Sequence, residues 1–281
     1  GAIAAFLAAV SVTSEADLGL GSVSLLITGD EEGEATGGTA RVLPWLASRG
    51  EIADFFVVGE ATNVESVGDT VKVGRRGSLN IDIEVRGVQG HVAYPDRVDN
   101  PLHRLALVLN DLISNPLDAG SALFEPSTLQ ITSVDTGNEA RNVVPPSVRA
   151  RVNIRFNDLH SGASLRDSIT KRIAAHGGDI DLDFQHAAEP FATESSSRLR
   201  HLVSAVEGVT GRTPALDTGG GTSDARFISR FAEVAEFGLI SKTIHQVNEA
   251  VEITDLALLT DVYATLLRTF LRAPSAFARE N

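Results

Sequence analysis

Cysteine and methionine are both absent from the 281 residues, tryptophan occurs once, and aromatic residues make up only 5%. Without cysteine there is no disulfide, zinc finger or thiol nucleophile, so a metal site must be assembled from His, Asp and Glu. With no methionine and Gly at position 1, the expectation is a processed or trimmed chain, or a fragment, rather than a primary translation product. Positive charge is scarce as well: 24 Lys and Arg against 37 Asp and Glu leave a net charge of −13. That balance disfavours nucleic acid as a partner, since no basic stripe interrupts it. Long apolar runs are also missing. The first twelve residues are too short to span a bilayer and carry no basic flank, so no membrane partner and a cytoplasmic location are expected. What is present, 43% hydrophobic and 22% charged residues, is ordinary for one large domain or two modest ones.

Residues 1–12 read as a helix. The run Val23-Ser24-Leu25-Leu26-Ile27-Thr28 reads as a buried strand, residues 39–48 as a helix limited by Pro44, and residues 54–59 as a second buried strand. Strand, helix, strand with near-continuous apolar strands predicts a parallel sheet covered on both faces, with ligands at the carboxyl ends of its strands. Those ends run into Gly29-Asp30-Glu31-Glu32-Gly33 and Gly59-Glu60. Around residue 77 the pattern changes: Leu79, Ile81, Ile83 and Val85 alternate with polar residues at period two. A helix through Leu102, Leu105, Val108 and Leu112 follows, then strands near 128–134 and 148–156, a helix near 164–175 and a strand at 180–184. This order predicts a ferredoxin-like split βαβ unit. Beyond Pro190 come a helix (196–209), the loop Gly219-Gly220-Gly221-Thr222-Ser223-Asp224, a strand (234–238) and a final helix (255–271). The expected organisation is an α/β domain in two parts, residues 1–76 and 191–281, interrupted by an inserted α+β domain over residues 77–190.

Several residues could carry chemistry, and each has a plainer reading. Glu31 and Glu32 are either a proton-transfer and metal-binding pair or a solvated acidic turn. Glu60 follows an apolar strand and is a ligand, a helix N-cap or a surface turn. His245 lies between apolar residues as a ligand or as a hydrogen-bonded core histidine. His91 sits between glycines and Pro95, where the backbone can approach a ligand or simply turn. Gly219 to Ser223 could cradle an oxyanion or form a flexible loop. It lacks the lysine of a P-loop. Arg75, Arg76 and Arg155 either attract an anionic substrate against the overall field or form surface ion pairs.

Taken together, Ile27-Thr28-Gly29-Asp30-Glu31-Glu32-Gly33, Val58-Gly59-Glu60, Arg75-Arg76-Gly77-Ser78, the segment Gly90-His91-Val92-Ala93-Tyr94-Pro95, Arg141-Asn142-Val143-Val144-Pro145, Gly220-Gly221-Thr222-Ser223-Asp224 and residues 244–249 resemble the zinc-dependent amidohydrolases of the M20 metallopeptidase family. The Gly90-to-Pro95 segment and the Gly-Gly-Thr-Ser-Asp loop are similar to its desuccinylase branch. The resemblance implies a zinc-exopeptidase-like α/β catalytic domain with an inserted ferredoxin-like dimerisation (lid) domain, acting as a homodimer on a small dicarboxylate-type substrate. It implies hydrolysis of an N-succinylated diaminopimelate in lysine biosynthesis. A sibling deacylase such as an acetylornithine deacetylase, or a carboxypeptidase, is the alternative within the family. By the same resemblance Glu31 is the general base, and His91 of the partner subunit stabilises the oxyanion. Glu32 and His245 hold one zinc and Glu60 the other, two Zn²⁺ per subunit with Co²⁺ as a substitute. Arg75, Tyr94, Asn142, Arg155, Gly221 and Thr222 hold substrate carboxylates. Two further family ligands, including the bridging Asp, belong to a segment expected before Gly1. The chain as written is therefore expected to be short of ligands, and a non-catalytic dimerising fragment is the competing expectation. Ser241, four residues before His245, replaces the family's Asn or Gly and is expected to bear on substrate contacts.

Overall fold

The computed structural model describes residues 1–13, 21–33 and 35–272. The chain divides into two compact units. One comprises Gly1–Gly74, Ala192–Thr218 and Ser223–Asn281; the other comprises Arg75–Phe191 together with Gly219–Thr222. Most of the glycine-rich loop, assigned to the outer domain from sequence, thus groups with the inserted unit.

In the first unit, α1 (Ala2–Ser11), α2 (Gly38–Ser48), β1 (Phe55–Val58) and β2 (Thr70–Lys72) precede the insertion. After it come α5 (Ser197–Thr210), β7 (Ala215–Asp217), α6 (Ala225–Ile228), β8 (Glu233–Glu236) and α7 (Ile253–Arg272). The four strands form one sheet in the order β1-β8-β2-β7. β1 and β8 run parallel, as do β2 and β7, while β8 meets β2 antiparallel at Glu236 and Lys72. The sheet is therefore mixed rather than all-parallel. Its core joins Val71, Ala235 and Phe237 to Ala5 and Ala9 of α1, Leu199, Leu202 and Val206 of α5, and Leu259, Val262 and Leu266 of α7. Phe6 meets Tyr263 edge-on at 6.0 Å, and the buried Tyr263 hydroxyl donates to Phe237 O at 2.6 Å. Burial pushes that hydroxyl's pKa up, so it stays a donor.

The expected strand at residues 23–28 does not form. The segment is extended but joins no ladder, and Leu25, Leu26 and Ile27 are exposed, Ile27 at 64%. An apolar, β-branched run records a capacity for burial. A strand also needs a neighbour to take its backbone groups, and among the described residues none lies alongside.

The second unit follows the expected order: β3 (Gly77–Arg86), α3 (Pro101–Ser114), β4 (Thr128–Asp135), β5 (Ser147–Phe156), α4 (Gly162–Ala174) and β6 (Asp179–Phe184). The strands make an antiparallel sheet in the order β4-β5-β3-β6. Period-two alternation decides its faces. Leu79, Ile81, Ile83 and Val85 of β3 and Val148, Val152, Ile154 and Phe156 of β5 are buried against Leu105, Val108 and Leu112 of α3 and Leu165, Ile169 and Ile173 of α4. Register runs from Gly77 opposite Phe156 to Arg86 opposite Ser147. Both helices start on side-chain caps: Asn100 accepts from Leu102 N with Pro101 at the first helical position, and Ser161 with Ser164 forms a reciprocal box. Among the described residues no helix is long and apolar enough to cross a membrane.

Candidate active site

The first unit brings Glu31, Glu32, Glu60 and Asp224 close enough to act on one another. Asp30 has φ 72°, a conformation costly for a side-chain-bearing residue, and is held there by local bonds. Its carboxylate accepts from Gly37 N at 2.9 Å, and its carbonyl accepts from Gly33 N at 3.3 Å and Ala35 N at 3.1 Å. This knotted turn presents Glu31 and Glu32. Glu31 is pushed up to about 7, first by burial and then by the negative charges of Glu60, Glu32 and Asp224, against a smaller opposing effect of Arg226. Glu60 is placed by β1, which ends two residues before it. His245 Nε2 lies 3.2 Å from Glu32 Oε1, and His245 itself has φ 60°, its N–H donating to Glu249 Oε2 at 3.3 Å. Unfavourable backbone conformations thus flank the cluster on both sides.

Carboxylates close enough to raise the pKa of Glu31, with an imidazole in contact with one of them, are a donor set that fits a divalent cation. Glu32 and His245 are adjacent, as the resemblance implies. Among the described residues, however, no three His, Asp or Glu side chains stand in ligating distance of one point, so Glu60 contributes charge to the cluster without closing a three-ligand site.

A close approach fixes the strand ends beneath the cluster. A Cβ on Gly238 would lie 2.2 Å from the Glu60 carbonyl oxygen, and backbone cannot yield as a flexible side chain can. Gly238→Ala is expected to cost about 1 to 3 kcal/mol of stability and to displace Glu60. Urea unfolding checks the first effect; an unchanged midpoint contradicts it.

The second unit holds the remaining predicted residues. His91 pairs with Val143 in a two-residue ladder, and Val92 N donates to Asn142 O at 3.1 Å, bringing His91, Tyr94 and Asn142 into one exposed corner. His91 Nδ1 accepts from Ala93 N at 3.0 Å, which leaves Nε2 as the N–H of the neutral ring. The His91 and Tyr94 rings stand 5.7 Å apart. Arg155 sits on the open face of the sheet beside Ser78, and burial together with the Arg76 guanidinium lowers its pKa. The buried Arg76 Nε has no hydrogen-bond partner. Arg75 donates to Gly219 O at 3.5 Å, so it meets the glycine-rich loop that carries Gly221 and Thr222.

Sequence reasoning missed several residues. Asp224 and Arg226, presented by α6, act electrostatically on Glu31, although Asp224 closes a motif already singled out. Glu236, 1% exposed, accepts a short hydrogen bond from Ser223 Oγ and so holds the Asp224 turn. Ser241 Oγ donates to Asn63 O at 3.0 Å, a bond within the protein that the sequence did not suggest.

Residues 73–181 match the Peptidase dimerisation domain of the M20 family. A succinyl-diaminopimelate desuccinylase of Gluconacetobacter diazotrophicus is 55% identical over 96% of this chain and 71% of its own length. Another from Gluconobacter oxydans is 51% identical over 96% and 71%. Among solved structures, the aminopeptidase PepT of Bacillus cereus superposes with a TM-score of 0.76 at 19% identity, covering 95% of this chain and 69% of that one. An M20 family metallo-carboxypeptidase of Sulfolobus solfataricus gives 0.67 at 14% identity, covering 86% and 69%. The fold is that of the M20 peptidases, a divalent metal is the family's cofactor, and the chain belongs to the succinyl-diaminopimelate desuccinylases of the M20 family.

Proposed function

We propose that this protein hydrolyses N-succinyl-LL-2,6-diaminopimelate to succinate and LL-2,6-diaminopimelate as a homodimer using two zinc ions per subunit. The observation that carries the reading is 55% identity to a desuccinylase across 96% of the chain, and the action of Glu60 and Glu32 on Glu31 and the contact of His245 with Glu32 support it. Divalent cations, one held by Glu32 and His245 and the other by Glu60, would supply Lewis-acid polarisation of the amide and of the attacking water. Glu31, its carboxyl pushed up to about 7 in the cation-free protein by burial and the negative charges around it, takes the proton of that water and returns it to the leaving amine. His91, from the dimerisation unit of the partner subunit, donates its Nε2–H to the developing oxyanion. Arg75, Arg155, Tyr94, Asn142, Gly221 and Thr222 take the carboxylates at the two ends of the substrate.

Arg155→Gln is expected to raise KM for the succinyl substrate about tenfold or more with kcat less affected, because it removes binding present in ground and transition states alike. A fall in kcat at constant KM contradicts that role. Amine release from the succinyl substrate and from N-acetylornithine under equal conditions tests the activity as a whole. Desuccinylation is expected to prevail by kcat/KM, and a preference for acetylornithine overturns the assignment.

A further inference from the structure

We propose that Asn63 is a positioning residue that locks the segment carrying Glu60 to the segment leading into His245. The inference rests on the reading of those two residues as cation ligands. Asn63 is 0% exposed and lies three residues after Glu60. Its Nδ2 donates to Gly238 O at 2.6 Å, and its Oδ1 accepts from Gly68 N and Thr70 N at 3.0 Å each. Its backbone N–H donates to Leu239 O at 3.2 Å, and its carbonyl accepts from Ser241 N at 2.8 Å and Ser241 Oγ at 3.0 Å. The neighbouring Thr62 hydroxyl bonds in both directions, to Thr70 O at 3.2 Å and from Gly238 N at 3.3 Å.

One amide thus joins three stretches of backbone: the loop leaving β1, the turn entering β2 and the segment leaving β8. The third continues directly to the ligand, since Ser241 O accepts from Ile244 N at 3.1 Å and His245 follows with its unfavourable φ. Residues 60 and 245 are far apart in sequence, and the β1–β8 ladder stops short of both. The buried amide extends the tie beyond the ladder, because only a group that donates and accepts at fixed geometry can satisfy Gly238 O, Gly68 N and Thr70 N together. An aspartate lacks the donor and would set a carboxylate against a carbonyl. An apolar side chain would leave all three backbone groups unpaired.

The test compares Asn63→Ala with Leu202→Ala, a core truncation in α5 that lowers stability without removing any of these hydrogen bonds. Zn²⁺ affinity by calorimetry and amide hydrogen exchange of the cation-free protein are read under conditions where both variants are folded. Asn63→Ala is expected to weaken Zn²⁺ binding tenfold or more and to speed exchange in residues 239–246, with Leu202→Ala close to wild type in both. Should Asn63→Ala not fold, Ser241→Ala, which removes a single hydroxyl bond, is expected to show a smaller loss in the same direction, restored by Ser241→Thr. Wild-type affinity and exchange in a folded Asn63→Ala, or equal losses in Leu202→Ala, overturn the proposal. If the wild-type protein takes up no Zn²⁺, the metal reading of Glu60 and His245 fails, and the exchange data alone decide whether Asn63 holds the two segments.

Discussion

Replacing Glu31 with Gln is expected to lower kcat/KM on the succinyl substrate by about 10³-fold with little change in KM, the usual scale for losing a positioned general base. Glutamine keeps the size and hydrogen-bonding reach of the side chain but cannot accept the proton. The same substitution should stabilise the cation-free protein. The Glu31 carboxyl, raised to about 7 in the fold from 4.5, holds its proton more tightly folded than unfolded. An acid raised in this way costs stability progressively as pH rises from 4.5 through 7, and the cost is fully present above 7. Removing the charge removes that cost, so Glu31→Gln should unfold at higher urea than wild type at pH 8 and match it at pH 4. Lower stability at pH 8 would show that the carboxylate is compensated by contacts of its own. A group that helps catalysis while straining the fold is what a catalytic carboxylate in a cluster of like charges should be.

The inserted unit was legible because period-two alternation and helical periodicity each specify both an element and the face it buries. Leu79, Ile81, Ile83 and Val85 could only be one side of a strand, and the βαββαβ order then leaves few topologies. The outer unit was less legible. Two of its four strands, Thr70–Lys72 and Ala215–Asp217, are three residues long and too short to show any period. Residues 23–28 show the opposite failure, a strong strand pattern without a ladder. The site followed the same division. Glu60 drew attention as a charge after an apolar strand, whereas Glu31, Glu32 and His245 each had a plainer reading and were drawn together by the resemblance to the M20 family. Asn63 and Glu236 did not stand out, because a buried polar residue that bonds mainly to backbone leaves no mark in local composition. Its partners, such as Gly238 at 175 residues' remove, are brought near only by the fold.

Asp118→Ala is expected to damage the inserted unit severely, costing about 3 kcal/mol or more. The Asp118 side chain is 7% exposed and ties the connection after α3 to the end of β5 and the start of α4. Oδ1 accepts from Gly120 N at 2.8 Å, Ser127 N at 3.1 Å and Asn157 Nδ2 at 2.7 Å, while Oδ2 lies 3.0 Å from His160 Nε2. Burial by itself would raise this carboxyl. The donors, led by the Ser127 hydroxyl and Gly120 N–H, outweigh it and hold the group down at about 2, from 3.8. A depressed acid contributes stability that is present above its unfolded value and lost as pH falls, here about 2 kcal/mol between roughly pH 4 and pH 2. Wild type should therefore lose stability across that interval more steeply than Asp118→Ala, which has already lost the contribution at neutral pH. Circular dichroism of urea unfolding at pH 7, 4 and 2.5 measures both. Parallel pH curves for the two proteins would mean that the carboxylate is not what these donors hold together. The alanine leaves Asn157 Nδ2 and two backbone N–H groups facing an apolar void, so the damage should exceed that of Asp118→Asn, whose amide oxygen can still accept from one or two of them.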